Sequence, residues 1–143
     1  MLLKSRRKTK TTKPTELRSR IMRAIKSSNT GPEKIVAEWL NSARFIPVTQ
    51  ASDLPGKPDF SLPNRKIAVF VHGCFWHGHT CRRGSRKPKT NSSYWQRKLA
   101  MNKKRDARNA AALRRMGWHV ITLWECSIRQ ESAHGRLLKF LTK

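Results

Sequence analysis

Cysteine and histidine side chains are concentrated in one short part of the chain. Two of each lie between positions 74 and 81: Cys74, His77, His79 and Cys81. The third cysteine, Cys126, follows a later apolar run. Because a structural zinc ion takes four N or S ligands, three cysteines and one histidine predict a structural Zn²⁺ site. The histidine ligand stays open between His79, which we favour, and His77; three free thiols that only fill apolar space are the alternative.

Three of the acidic residues could do chemistry or serve plainer purposes. Asp59 follows Pro58 and opens a predicted strand, where a carboxylate beside phosphate-binding charge would be a natural Mg²⁺ ligand. An aspartate that shapes a turn is the plainer interpretation of Asp59. For Glu33, in the first turn of a predicted helix, stabilisation by the helix dipole is a sufficient reason. Glu125 either supports the metal ligands from outside or lies at the surface.

Asp106 shares one face of a long predicted helix with apolar side chains. These side chains are Trp95, Leu99, Ala110 and Leu113. Because an inward carboxylate without a partner is costly, we expect Asp106 to pair with Arg105 or with a histidine. A structural ion pair and a catalytic carboxylate explain this position equally well.

Positive charge dominates the composition, with 32 Lys and Arg against 8 Asp and Glu and a formal net charge of +24. It is concentrated in residues 1–20 and 82–115, which contain one acidic residue each. Such one-sided runs favour contact with phosphate groups, so we expect nucleic acid as the partner and residues 1–20 as a basic, flexible arm. Candidate contacts to a nucleic-acid backbone are Arg82, Arg83, Lys87, Lys103 and Lys104. A solubility tail and a ribosome-adhering surface are the alternatives.

Other features exclude whole classes of protein. The longest apolar run, residues 67–71, is far shorter than the roughly 20 residues of a membrane span, and the basic segments lack the wide apolar face of a membrane-surface helix. Charged residues follow Met1 closely, which argues against a secretory signal. An odd number of cysteines argues for a reduced compartment. We therefore expect a cytoplasmic protein with no membrane partner.

The apolar pattern predicts an α/β domain, a mixed sheet with helices on its faces. Helices are predicted over 31–43, 94–116 and 128–142. Strands are predicted over 45–48, 59–62, 66–72 and 118–124. Residues 54–58 are predicted to form a turn, and residues 73–92 have the Gly, Pro and basic content of an irregular segment. A chain of 143 residues suits one such domain.

Several motifs together match a known family. They are Pro58-Asp59-Phe60, the run Val-His-Gly-Cys-Phe-Trp-His at 71–77, His79-Thr80-Cys81, Arg105-Asp106, Gly117-Trp118 and Leu123-Trp124-Glu125-Cys126. On these motifs the chain resembles the very-short-patch repair (Vsr) DNA mismatch endonucleases, from about residue 20 to residue 129. The resemblance implies a restriction-endonuclease-like fold with a structural zinc over residues 21–143.

The activity that the resemblance implies is a Mg²⁺-dependent nick on the 5′ side of the mispaired thymine in a T:G mismatch. Such mismatches arise when 5-methylcytosine deaminates. The implied partner is duplex DNA with this mismatch, bound by a monomer in the bacterial nucleoid, with mismatch-repair proteins as further partners. Two alternatives stay open: a site-specific nickase of the same fold without mismatch preference, and a non-catalytic, zinc-stapled nucleic-acid-binding protein.

The resemblance also implies roles for catalytic residues. Asp59 is similar to the family's Mg²⁺-binding aspartate, and Val71 stands where the family usually has a threonine whose backbone carbonyl helps to hold the ion. A carbonyl does not need that side chain, so only a hydroxyl is lost. His77 resembles the general base, supported by His72, Asp106 and Glu33. Imidazole would replace the lysine that many endonucleases carry at the end of this strand.

Two further sets of residues have counterparts in the family. The ligands of the zinc ion would be Cys74, His79, Cys81 and Cys126. The aromatic wedge that enters the DNA stack beside the mismatch would be Phe75, Trp76 and Trp95, with Met22 inserting from the other groove. For the tryptophans, a place in the apolar core is the plainer interpretation.

Overall fold

The computed structural model describes residues 30–86 and 88–142. Its helices are α1 (Gly31–Ser42), α2 (Ser92–Arg115), α3 (Glu125–Arg129) and α4 (Ser132–Leu141). Its strands are β1 (Val48–Thr49), β2 (Phe60–Leu62), β3 (Ile67–His72) and β4 (His119–Trp124). The predicted arm over residues 1–20, Met22 and Lys87 lie outside the described residues. In the described part, no helix has both the length and the apolar character needed to cross a bilayer.

One mixed sheet organises the domain, in the strand order β1-β2-β3-β4. The β1–β2 and β2–β3 pairs are antiparallel, and a 3₁₀ turn over Pro63–Arg65 joins β2 to β3. The β3–β4 pair is parallel, which requires a long crossover, and α2 lies within that connection. The predicted α/β class with a mixed sheet and flanking helices is therefore confirmed.

The two faces of the sheet carry apolar clusters of unequal size. Ile67 and Val69 of β3 contribute to the larger cluster, which also takes in buried side chains of α1, α3 and α4. Ala68 and Phe70 point to the other face and form a smaller cluster with Leu113 of α2. Because successive side chains alternate between faces, β3 is buried on both sides, as its unbroken apolar run predicts.

The first strand differs from its prediction. The sequence predicts an edge strand over 45–48, whereas β1 is Val48–Thr49. Phe45 donates its N–H to the carbonyl oxygen of Leu40 at the end of α1, so it still belongs to the helix terminus. Pro47 has no N–H for a ladder, and pairing starts only beyond it.

The prediction of one continuous helix over 128–142 is wrong. The structure has two helices there, α3 and α4, and α3 already begins at Glu125. Glu131 lies between them with φ of +59°, a left-handed conformation that no helix interior tolerates. The turn lets Ile128 of α3 and Leu137 of α4 both reach the larger apolar cluster.

Candidate active site and metal centre

The parallel pairing of β3 and β4 brings the chemical groups of the chain to one edge of the sheet. His72 and Trp124, the last residues of the two strands, lie opposite each other. Cys74 and Cys126 follow two residues after these positions, one from each strand. Because parallel strands end at the same edge, residues far apart in sequence meet there.

Cys74, His79, Cys81 and Cys126 form one cluster, in which a ligand atom from each residue lies within 4.8 Å of the others. The Cys126 Sγ lies 3.6 Å from the His79 Nδ1. This is close to the edge of a tetrahedron built from Zn–S and Zn–N bonds, roughly 3.6 Å. The three cysteines form no disulfide, and three sulfurs with one imidazole suit Zn²⁺. His77 lies outside the cluster, so of the two histidines considered the structure brings His79 to the thiols.

Backbone groups wrap closely around the sulfur atoms. The Gly84 N–H donates to the Cys81 Sγ at 3.3 Å, and this bond is the main reason that the pKa of Cys81 falls to about 6. The Cys126 N–H donates to the Cys74 Sγ at 3.4 Å, but burial raises the pKa of Cys74 to about 12. A Cβ at Gly84 would collide with the backbone of His79. A bound cation would favour the thiolate form of both cysteines.

A second cluster, beside the first, joins His77 to Asp106. The His77 Nδ1 lies 2.6 Å from the Asp106 Oδ2, and the Arg105 Nη2 lies 3.7 Å from the other carboxylate oxygen. Asp106 therefore has both of the partners considered for it, and its position on the inner side of α2 is explained. The His72 and His77 rings stack, with centroids 3.7 Å apart and planes inclined by 4°.

The two stacked histidines differ in burial and in their partners: His72 is buried, whereas His77 is half-buried and contacts the Asp106 carboxylate. The pKa of His72 falls to about 4, mainly because of burial; the neighbouring His77 and Arg105 also lower it, and Asp106 opposes the shift. His72 is therefore neutral near pH 7. A cavity of about 370 Å³ opens beside His77 and Asp106.

Asp59 lies at the start of β2 and is held against β3. Its Oδ2 accepts a hydrogen bond of 2.7 Å from the Val71 N–H, and Gln50 Nε2 lies 3.5 Å from its Oδ1. Burial raises the pKa of Asp59 to about 6; the Val71 bond opposes this shift and the charge of Glu33 adds to it. A buried carboxylate with a second carboxylate nearby makes a place where a divalent cation would be stabilising.

Asp59 stands apart from the two larger groups of potential ligands. Among the described residues, these groups are the Cys/His cluster and the set of His72, His77 and Asp106. The main chain of β3 connects Asp59 to the second group, because Val71, whose N–H binds Asp59, immediately precedes His72. Magnesium fits such a place, since it often takes one or two carboxylates and completes its shell with water and substrate phosphate.

The three candidate wedge residues form one aromatic cluster. Phe75 lies 5.3 Å from Trp76 and 5.6 Å from Trp95, and the two tryptophans lie 5.7 Å apart, all between ring centroids. All three are half-buried, and the exposed Tyr94 extends the cluster at 5.3 Å from Trp95. The rings thus support each other near the surface, and none of them belongs to either apolar core cluster.

The described candidates for backbone contact are exposed: Arg82, Arg83, Lys103 and Lys104. Arg83 is not an isolated charge, because its Nη1 lies 3.1 Å from the Glu125 Oε1. The Lys103 side chain lies against Gly78, where a Cβ would collide with it. Glu125 also binds Arg129, so its side chain lies in an ion-pair network.

Two polar residues near the site were missed by the sequence analysis. Asn102 Nδ2 donates to the Trp76 carbonyl oxygen at 2.9 Å, which ties α2 to the aromatic cluster. Helical periodicity could have identified Asn102, because it lies between Leu99 and Asp106 at helical spacing on the inner face. Gln50 approaches Asp59 from a left-handed conformation with φ of +51°, and no local pattern marks it.

Comparison with known proteins gives consistent matches. The family model described as DNA mismatch endonuclease Vsr matches residues 8–83. The type II nicking enzyme V.XorIIP of Xanthomonas oryzae is 44% identical over 113 residues, which cover 79% of this chain and 82% of that protein. The DNA mismatch endonuclease Vsr of Escherichia coli is 38% identical over 112 residues, 78% of this chain and 71% of its own. The type II nicking enzyme V.NmeAIP of Neisseria meningitidis is 38% identical over 118 residues, with 82% and 84% covered.

Proposed function

Because the chain belongs to the family of Vsr DNA mismatch endonucleases, we propose that it nicks duplex DNA on the 5′ side of the mispaired thymine in a T:G mismatch. Family membership itself makes the chain an endonuclease with a restriction-endonuclease-like fold. What we propose beyond family membership is the specificity for a T:G mismatch, the cutting of the thymine strand and the use of Mg²⁺ as the cation. Its purpose would be the repair of deaminated 5-methylcytosine, and mismatch-repair proteins are proposed as partners of a monomeric enzyme.

The observation that carries the proposal is the hydrogen bond between His77 and Asp106 beside the buried His72. A carboxylate that accepts from the Nδ1–H fixes the ring orientation and stabilises the imidazolium. The other ring nitrogen, Nε2, is then free to exchange a proton with water or with the leaving 3′ oxygen. We assign His77 as the general acid–base group, Asp106 as its positioning residue and His72 as its stacking support.

Asp59 and the Val71 carbonyl would hold the cation, with Glu33 as a supporting carboxylate. Bound there, Mg²⁺ would neutralise charge on the scissile phosphate and lower the pKa of a bound water. The Val71 N–H keeps the Asp59 carboxylate against the strand that ends at His72. Adjacent residues of β3 would thereby connect the cation-binding and proton-transfer groups, because Val71 binds Asp59 and His72 stacks on His77.

Recognition of the mismatch would use the aromatic cluster. Inserting an apolar wedge costs the free energy of unstacking one base step, and a T:G wobble pair costs less to unstack than a matched pair. Phe75, Trp76 and Trp95 offer flat apolar surfaces for this role, with Met22 as the residue from the opposite groove. The predicted arm, residues 1–20, would follow the DNA backbone.

The Cys/His cluster would hold a structural Zn²⁺. Four protein ligands leave no open position for water, so this ion would support folding and not the reaction. It would fix the loop that carries both Phe75 and His77, one residue of the wedge and one of the catalytic group. The basic residues next to it, Arg82 and Arg83, would bind phosphate. Lys87, Lys103 and Lys104 are proposed for the same role.

The second candidate function is a nickase of the same chemistry without mismatch preference. Two of the relatives bear the name type II nicking enzyme, which mentions no mismatch. A non-catalytic, zinc-stapled binder is the third candidate; it would need the Cys/His cluster and the charge but not Asp59, His77 and Asp106 together.

A nicking assay separates the three candidates. Zinc-loaded protein is incubated with Mg²⁺ and two 5′-labelled duplexes of one sequence, which carry a T:G pair or a T:A pair at one position. We expect a single labelled product from the thymine strand of the T:G duplex and none in EDTA. Equal cutting of both duplexes would favour the second candidate. Binding without any cut would favour the third.

A further inference from the structure

We propose that a groove beside the aromatic cluster binds a backbone phosphate of the DNA, and that Glu125 positions the arginines that do so. The groove, called here the arginine groove, has a volume of about 590 Å³. It is lined by Phe75, Trp76, Arg83, Arg86, Pro88, Glu125 and Arg129. The inference rests on the proposed function, since it assigns the phosphate to the strand that the wedge opens.

One carboxylate oxygen holds two guanidinium groups from different parts of the chain. The Glu125 Oε1 accepts from the Arg83 Nη1 at 3.1 Å, and from the Nε and Nη2 of Arg129 at 3.2 and 3.0 Å. The Glu125 side chain is 20% exposed, whereas those of Arg83 and Arg129 are 61% and 56% exposed. The carboxylate thus lies behind the two guanidinium groups, which present their outer edges to solvent.

This arrangement is suited to an anion and not only to a local ion pair. Each guanidinium carries more N–H donors than its bonds to Glu125 use, and the planar fork matches two phosphate oxygens. With Arg86, the groove has three positive groups against one negative group, so it attracts an anion even after the internal pairing. A phosphodiester is the fitting anion, because Phe75 and Trp76 in the same groove offer ring surfaces to the adjoining base.

The ion pairs alone would be a weak reason for the arrangement. Exposed salt bridges typically contribute less than about 1 kcal/mol to stability, and the loop and α3 already meet at Cys81 and Cys126 of the Cys/His cluster. If two long side chains are already fixed before DNA binds, the entropic cost of ordering them on binding is smaller. Pre-organisation of Arg83 and Arg129 is therefore the property that Glu125 adds.

The test measures DNA affinity against salt concentration by fluorescence anisotropy, without Mg²⁺, on the T:G and T:A duplexes. The variants are Arg129→Gln, Arg86→Gln and Glu125→Gln. Arg136→Gln, at an exposed position of α4, is the control for loss of bulk charge. Zinc content and thermal melting are measured for each variant. If Arg129→Gln loses zinc, the result for Arg86→Gln alone tests the inference.

We expect Arg129→Gln and Arg86→Gln each to weaken binding several-fold and to reduce the slope of log K against log salt by about one. Arg136→Gln should keep the wild-type slope. Glu125→Gln removes a negative charge but frees the arginines, so affinity for the matched duplex should hold or rise while the preference for the T:G duplex falls. If the ion pair were purely structural, Glu125→Gln would change the melting temperature but would not separate the affinity for the matched duplex from the preference for the T:G duplex.

The inference fails if Arg129→Gln and Arg86→Gln match Arg136→Gln in slope and affinity while the wild type still prefers and nicks the T:G duplex. If the wild type shows no T:G preference and the slopes still fall, the phosphate site stands and the proposed mismatch specificity fails. A wild-type protein that binds neither duplex would overturn both.

Discussion

The Cys/His cluster and the proposed catalytic residues lie at the same edge of the sheet but are organised in opposite ways. The four side chains of the cluster already converge, with potential ligand atoms within 4.8 Å of one another. The proposed catalytic residues form two separate parts, Asp59 bound to Val71 on one side and His77 bound to Asp106 on the other. The fold alone brings the four side chains of the cluster together, whereas we expect a bound cation and DNA to complete the proposed catalytic site.

The difference reflects what each region must do. A structural ion needs all of its ligands from the protein, whereas a catalytic cation must leave positions for water and for the scissile phosphate. Losing one ligand of the Cys/His cluster should therefore damage the fold, and losing one catalytic group should damage only the reaction. The predictions below test this separation.

The largest effect is expected from Cys126→Ser. It removes a thiolate from the Cys/His cluster and leaves three ligands for an ion whose binding contributes about 10–16 kcal/mol in small zinc domains. We expect loss of bound zinc and loss of cooperative thermal unfolding. Metal analysis and a melting curve measure both, with His119→Ala, exposed on β4, as control. A variant that keeps its zinc and the wild-type melting temperature would contradict the ligand assignment.

Asp106→Asn should affect the reaction alone. The amide can no longer stabilise a protonated His77, so we expect a loss of about 10²–10³ in the single-turnover nicking rate. The pH–rate profile should also change, because the variant removes a carboxylate from direct contact with His77. Zinc content and DNA affinity should equal those of the wild type. A rate within a few-fold of wild type, with an unmoved profile, would exclude the pair from catalysis.

Asp59→Asn should stabilise the protein in the absence of Mg²⁺. The folded-state pKa of Asp59 is raised from 3.8 to about 6, so between these pH values the folded state binds more protons than the unfolded state. The free energy of unfolding of the wild type therefore falls as pH rises through this window. We expect the variant to be more stable at pH 7 by about 1–2 kcal/mol and equal to the wild type below about pH 4.

Denaturant unfolding at pH 4 and pH 7 measures this difference. Added Mg²⁺ should narrow the gap at pH 7, because it would bind only the wild-type carboxylate and stabilise that protein. A variant less stable than the wild type at pH 7 would show that the carboxylate is satisfied without a cation.

The smallest effect is expected from Asn102→Ala. It removes the hydrogen bond to the Trp76 carbonyl, worth about 1 kcal/mol, and loosens the loop that carries the wedge. We expect the T:G preference to fall about five-fold, with affinity for the matched duplex unchanged. Met101→Ala, at the exposed neighbouring position, is the matched control. Equal preference in the two variants would show that the bond has no part in recognition.

The central strand and three members of the Cys/His cluster were predictable because their signals are local. The apolar run of β3 and the close spacing of Cys74, His79 and Cys81 each lie in one short segment, whereas Cys126 reaches the cluster only through the parallel pairing of β3 and β4. The break between α3 and α4 was not readable, since Glu131 adopts its left-handed conformation to let both helices reach the core. Helix propensity contains no information about such tertiary packing.

The geometry of the proposed catalytic residues depends on contacts between segments. The bond from Val71 to Asp59 exists only because the β2–β3 register, set by the turn at Pro63–Arg65, brings the two together. Helical periodicity predicted that Asp106 needs a partner but not that Arg105 and a histidine would both contact it. The contact with His77 follows from the path of the irregular loop after β3, which a pattern of residue types does not encode.

The most direct test of the central claim is the nicking of a labelled T:G duplex by Asp59→Asn at saturating Mg²⁺. The catalytic cation is proposed to bind the Asp59 carboxylate. We therefore expect no product above background, while zinc content and affinity for the duplex without Mg²⁺ equal those of the wild type. Nicking by Asp59→Asn at the wild-type rate would contradict this assignment.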